Sequence, residues 1–275
     1  MPTNRNFFRN PSAKVGMAIV ALLLLITFIG PFFITSPYAQ NVVNKLQGPS
    51  WEHWLGTDDF GRDLLARMVV GARYSLSAGI ISVVLGLLGG LFLGALAGYY
   101  GGYLDKVLMM ICDILLAFPS VLLALAIVII MEPGIYTPMV AVGISSIPIF
   151  ARLVRAQFMY LRQSSFIEAV RSSGAGDLRI IFFHLLPNSI GPIIIQATLR
   201  IGSSILTAAT LSFLGLGAQP PTPEWGAILS SARRYLWTGA HMAIIPGIAI
   251  TMTVVAVNLL GDALRDYFDP RTNGS

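Results

Sequence analysis

Residues 15–34 run for twenty positions without a charged side chain, and five more apolar runs follow, at about 74–99, 105–131, 138–158, 189–214 and 242–260. A helix needs about 20 residues to cross the ~30 Å hydrocarbon core of a bilayer. The pattern therefore predicts an all-α, polytopic membrane protein with six transmembrane helices. Only 11% of the 275 residues are charged, against about 25% in soluble domains, too few to solvate a soluble surface. The spans make one membrane domain, 15–262, with its core at 73–262. It lies between polar ends 1–14 and 263–275. The first run is too long for the core of a cleaved signal peptide, and no small-x-small site precedes Pro31, so it reads as an uncleaved span.

The net charge of +5 reports orientation rather than a nucleic-acid partner. With six spans both termini share a side. That side holds Arg5, Arg9, Lys14, Lys106, Arg152, Arg155, Arg162, Arg171, Arg179, Arg265 and Arg271; the other holds Lys45, Arg62, Arg67, Arg73, Arg233 and Arg234. Eleven against six places both termini in the cytoplasm.

Within the second span, Gly86, Gly90, Gly94 and Gly98 recur every fourth residue, a helix face that lets another helix come close. Pro119 predicts a bend in the third span. Asp113 needs a partner there, and Arg152 or Arg155 of span four lies on the same side. Arg200 sits near the middle of span five, where it either lines a path for cargo or forms a salt bridge. Cys112, the one cysteine, reads as inert packing. Between the first two spans, 60–71 reads as a short amphipathic helix. Arg62 and Asp63 within it are either a gate and contact for an outer protein or a local ion pair that sets the start of span two. In the outer loop 215–240, Thr222-Pro223 predicts a helix capped by Thr222 and running to about Tyr235. Trp225 and Trp237 suit the membrane interface, and Glu224 and Trp225 are further candidates for the outer contact.

The longest charged interruption in the second half is 165–188, SFIEAVRSSGAGDLRIIFFHLLPN. Ser165-x-x-Glu168 has the form of a capping box, with Glu168 and Arg171 sharing a face. Gly174 ends that helix. Asp177 caps a second one, which Pro187 stops. The result is two short helices with an elbow at a membrane surface.

Glu168-Ala169-x-x-x-x-Gly174 with Leu186-Pro187 downstream resembles the E-A-A loop of permease subunits in binding-protein-dependent ATP-binding cassette importers. Val170 replaces the second alanine, and His184 stands where an apolar residue is common. Leu55-Gly56-Thr57-Asp58, Gly61-Arg62-Asp63, the block 212–217, Pro223-Glu224-Trp225-Gly226 and 258–262 resemble the dipeptide, oligopeptide and nickel branch. The resemblance implies a type I importer permease fold. It also implies that Glu168, Ala169, Val170, Arg171, Gly174, Ala175 and Pro187 belong to a cytoplasmic coupling helix that docks on an ATPase subunit. The implied partners are a homologous second permease in a heterodimer, two ATP-binding cassette subunits, an extracytoplasmic substrate-binding protein and membrane lipid. The implied cargo is a di- or oligopeptide, with glutathione, nickel or a metal chelate as alternatives, moved by alternating access.

Catalytic and metal chemistry find no purchase in the sequence. None of Lys14, Lys45 and Lys106 follows a glycine, so no P-loop is present, and ATP with its magnesium falls to the partner subunits. His53, His184 and His241 are scattered, and no H-E-x-x-H, C-x-x-C or G-x-S-x-G occurs. The chain is expected to have no enzymatic activity of its own, no cofactor and no metal. An intramembrane enzyme would need paired polar residues at one depth, and a channel would need a pore loop or a charge ring.

Overall fold

The structure, a computed structural model, describes residues 7–268. The expectations for 1–6 and 269–275, with Arg5 and Arg271, lie outside the described residues. The order is α1 (Pro11–Phe28), α2 (Leu64–Tyr100), α3 (Gly102–Leu116), α4 (Ser120–Ile130), α5 (Thr137–Arg162), α6 (Ser165–Ser172), α7 (Asp177–Ile180), α8 (Leu186–Phe213), α9 (Trp225–Ala232) and α10 (His241–Phe268). Five of these stretches are long and apolar enough to cross a membrane, six if the bent pair α3–α4 is one span.

Local chemistry fixes the starts. The Asn10 side chain accepts from Ser12 N at 2.9 Å, and Pro11 opens α1. Asp63 Oδ1 accepts from Ala66 N at 2.9 Å, so α2 begins at Leu64 and continues unbroken for 37 residues. The short amphipathic helix expected at 60–71 begins instead at Leu64 and is continuous with span two. Arg67 is turned inward to within 3.2 Å of Asp58, so the helix needs no wet side there.

The glycine stripe packs α2 against α5. A Cβ on Gly86 would come within 2.8 Å of Ser146 Cβ, on Gly94 within 2.8 Å of Val154 Cβ, and on Gly98 within 2.8 Å of Phe158 Cβ. Both residue series rise together, so α2 and α5 run parallel. The segment between them must then carry the chain back across the full thickness of the bundle. It does so as α3 and α4, broken at 117–119 and bent by 92°. This break is sharper than the expected bend. Pro119 has no N–H to give and disfavours helical backbone at Phe118, so the helix stops and restarts.

Arginines of α5 take up both carboxylates of α3. Arg152 donates to Asp113 at 2.5 Å, and Arg155 donates to both oxygens of Asp105 at 2.5 and 2.7 Å. Cys112 is buried beside them. Asn10 reaches Asp266 at 3.5 Å, and a Cβ on Gly191 would come within 3.4 Å of the Phe268 ring. The start of α1, the end of α10 and the 165–180 elbow thus share one end of the bundle.

Candidate functional site

The elbow is hung from the bundle by its apolar side. Ile167 of α6 and Ile180 of α7 are buried among Tyr99, Val154, Phe158, Leu185 and Ile193. Burying two such side chains stabilises by about 1.5–3 kcal/mol each. Glu168, Ala169, Arg171 and Gly174 are left facing solvent, with Val170 and Ala175 half-buried. Four of the candidate coupling residues are therefore open to solvent, Val170 and Ala175 lean on the bundle, and Pro187 is exposed two turns beyond the elbow.

Gly174 closes α6 with φ +81°, as expected. Other details differ. Ser164 rather than Ser165 occupies the cap, and its hydroxyl donates backward to Leu161 O at 2.5 Å, so no capping box forms. Glu168 and Arg171 make no ion pair among the described residues. Arg171 instead lies over the Tyr99 ring, 5.8 Å from its centroid, and donates to the Tyr99 hydroxyl at 3.3 Å. Asp177 is the first residue of α7, not its cap, and accepts from the Tyr99 hydroxyl at 2.5 Å. Pro187 does not stop the second helix. A widened π turn, Ile181–Leu185, precedes it and absorbs the missing N–H, so backbone continues from Asp177 to Phe213.

Sequence reasoning missed Tyr99. Besides its hydroxyl contacts, its carbonyl accepts from Arg162 Nη1 at 2.6 Å. One residue at the end of α2 thus meets α5, α6 and α7. A tyrosine near a span end signals only an interface anchor. Its partners lie 63 to 78 residues away, beyond any local signal.

At the opposite end, Arg62, Asp63, Glu224 and Trp225 are turned inward. Asp58 accepts from Arg62 Nε at 2.6 Å, and Asp63 pairs with His53 Nδ1 at 2.8 Å. The local-ion-pair reading of this segment is the arrangement present. Burial, with Asp58 beside it, pushes the Asp59 carboxyl above the usual carboxylate range. Glu224, not Thr222, caps α9: its carboxylate accepts from Gly226 N and Ala227 N at 2.9 Å, and from Ser75 Oγ at 3.1 Å. Burial raises the Glu224 carboxyl, with those hydrogen bonds pulling the other way. Trp225 donates from Nε1 to Met68 O at 3.0 Å and is buried, so it is no interface anchor; Trp237 is fully exposed. Arg62, Glu224 and Trp225 are buried here, and Asp63 is half-buried.

Arg200 lies midway along α8 beside a small hollow lined by hydroxyl groups of three helices. Among the described residues no group of three His, Cys, Asp or Glu side chains comes close enough to hold a metal.

Residues 90–274 match the family described as the binding-protein-dependent transport system inner membrane component, and residues 3–49 match the N-terminal membrane domain of oligopeptide transport permease C. A dipeptide transport system permease protein, DppC, of Alkalihalophilus pseudofirmus is 48% identical over 96% of this chain and 87% of its own. A glutathione transport system permease protein, GsiD, of Pectobacterium atrosepticum is 51% identical over 97% and 89%. Among solved structures, inward-facing conformations of the MetNI methionine ABC transporter match with a TM-score of 0.59 at 21% identity, over 73% of this chain and 96% of that one. That likeness carries the fold.

Proposed function

This chain belongs to the binding-protein-dependent transport system inner membrane component family, and we propose that it moves di- or oligopeptides inward across the bacterial cytoplasmic membrane by alternating access. The observation that carries this is the open face of Glu168, Ala169, Arg171 and Gly174, fixed to the bundle through Ile167, Ile180 and Tyr99. A rigidly held, solvent-facing short helix at one end of a broken bundle is suited to passing a push from another protein into the spans. In this reading the face docks on one of two ATP-binding cassette subunits, which hold ATP and magnesium. A homologous permease completes a heterodimer, and an extracytoplasmic binding protein delivers cargo. Both termini and the elbow are cytoplasmic, which the shared end of α1, α10 and the elbow supports.

Glutathione is a second reading, favoured by the 51% identical glutathione permease. Arg200, deep in the membrane and without a carboxylate partner among the described residues, favours cargo bearing carboxylates over a bare divalent cation such as nickel. Proteoliposomes of the whole importer, with the binding protein inside the assay, test the proposal. Labelled dipeptide, glutathione and nickel are offered in turn with ATP. ATP-dependent peptide accumulation is expected; accumulation of nickel alone would overturn the reading.

A further inference from the structure

Among the described residues, Arg200 is the one arginine midway through a span whose charge the bundle leaves unanswered. Arg152 and Arg155, the other two arginines facing the broken third span, are each neutralised by an aspartate at 2.5 Å. Around Arg200 no carboxylate lies within 4 Å among the described residues. Its one side-chain bond is a long one, 3.5 Å from Nη1 to Ser203 Oγ, and its buried Nε has no partner. A charge held at that depth costs several kcal/mol unless something compensates it.

The surroundings are built of donors. Arg200 shares its hollow with Ser145 and Ser146 of α5, Ser203 and Thr207 of α8, and Ser120. At rest the hydroxyls of Ser145, Ser146, Ser203 and Thr207 donate to carbonyls of their own helices. Each can turn about its Cβ–O bond and donate into the hollow instead, giving up one intrahelical bond. Ser120 is the first residue of α4, whose start has no side-chain cap. The N–H groups of Ser120, Val121 and Leu122 have no acceptor within the helix, and Ser120 brings this partly positive helix start to the hollow. The 92° break after α3 is what brings a helix start beside Arg200, midway along α8.

We propose that Arg200, with Ser203 and the start of α4, forms a carboxylate subsite on the cargo path, which holds the C-terminal carboxylate of a peptide as it passes. This rests on the peptide reading above. A guanidinium gives two parallel N–H donors to a carboxylate, and the free Nε is one of the atoms that pairing uses. The alternative source of the carboxylate is an aspartate or glutamate of the second permease.

The test compares a dipeptide with its C-terminal amide in proteoliposomes of the whole importer, for the wild-type chain and Arg200→Gln. Each rate is taken with the same binding protein, whose own preference cancels when acid-to-amide ratios are compared between chains. The expected result is an acid-to-amide ratio at least tenfold lower in Arg200→Gln, with amide transport nearly unchanged. An equal fall for acid and amide, the result a salt bridge to the second permease gives, overturns the subsite and leaves the peptide reading standing. Failure of the wild-type importer to move either compound overturns both. Should Arg200→Gln not assemble, Arg200→Lys carries the test. Lysine keeps the charge and loses the fork, so the ratio falls about threefold; an unchanged ratio overturns the proposal.

Discussion

The Tyr99 hydroxyl donates to Asp177 at 2.5 Å and accepts from Arg171 at 3.3 Å, joining the end of α2 to both helices of the elbow. The same α2 carries the glycine stripe against α5. The elbow is therefore tied to the helix pair that the glycine stripe holds together. Tyr99→Phe keeps the ring and removes the hydroxyl. Stability should fall by only about 1 kcal/mol, as for one ordinary hydrogen bond. Transport per ATP hydrolysed should fall several-fold. The ratio of uptake to phosphate release in proteoliposomes checks this, and an unchanged ratio would show that Tyr99 only braces the fold.

The stripe itself predicts a packing defect. A Cβ on Gly94 would come within 2.5 Å of Ala151 O and 2.8 Å of Val154 Cβ, and both neighbours are fixed in α5. Gly94→Ala should cost about 1–3 kcal/mol by overpacking, and Gly94→Val more. Thermal melting of the detergent-solubilised complex reads the loss. Gly247, where a Cβ would meet nothing within 4 Å, is the control, and Gly247→Ala should melt like the wild type.

These two cases show what was legible in sequence. Spacing of four told which face of α2 packs, because close approach leaves no other use for four aligned glycines. Apolar run length told where the chain crosses, and Gly174 told where α6 ends. The failures around α9 share a cause: each depended on a partner far along the chain. Glu224 caps α9 because Ser75, 149 residues away, helps satisfy its buried carboxylate, and Trp225 is buried because Met68 O accepts its N–H. Pro187 looked like a stop because a π turn is a backbone adjustment with no residue signature.

The shared end of α1, α10 and the elbow makes a topology prediction. In a Cys112→Ser background, a cysteine at exposed position 45 should react with a membrane-impermeant maleimide in intact spheroplasts, and one at exposed position 173 only after permeabilisation. The reverse pattern would invert the protein in the membrane and place the elbow away from ATP.

Gly174 separates two explanations of the elbow. Its φ of +81° disfavours side chains whatever the space, yet a Cβ there would meet nothing within 4 Å of this chain. Within the chain the penalty is thus conformational, not steric, and asparagine tolerates that backbone far better than valine does. If 165–180 were only a turn, Gly174→Asn should transport nearly normally and Gly174→Val should lose about 1–2 kcal/mol of stability. If the open face enters a groove on an ATPase subunit, both variants should insert in the membrane yet lose most transport. The asparagine chain then fails because its side chain occupies space the partner needs. Glu168→Lys reverses an exposed charge on the same face and should weaken ATPase pull-down without lowering the melting temperature. Uptake, pull-down and melting measured together decide it: wild-type uptake for Gly174→Asn would show that nothing packs against residue 174.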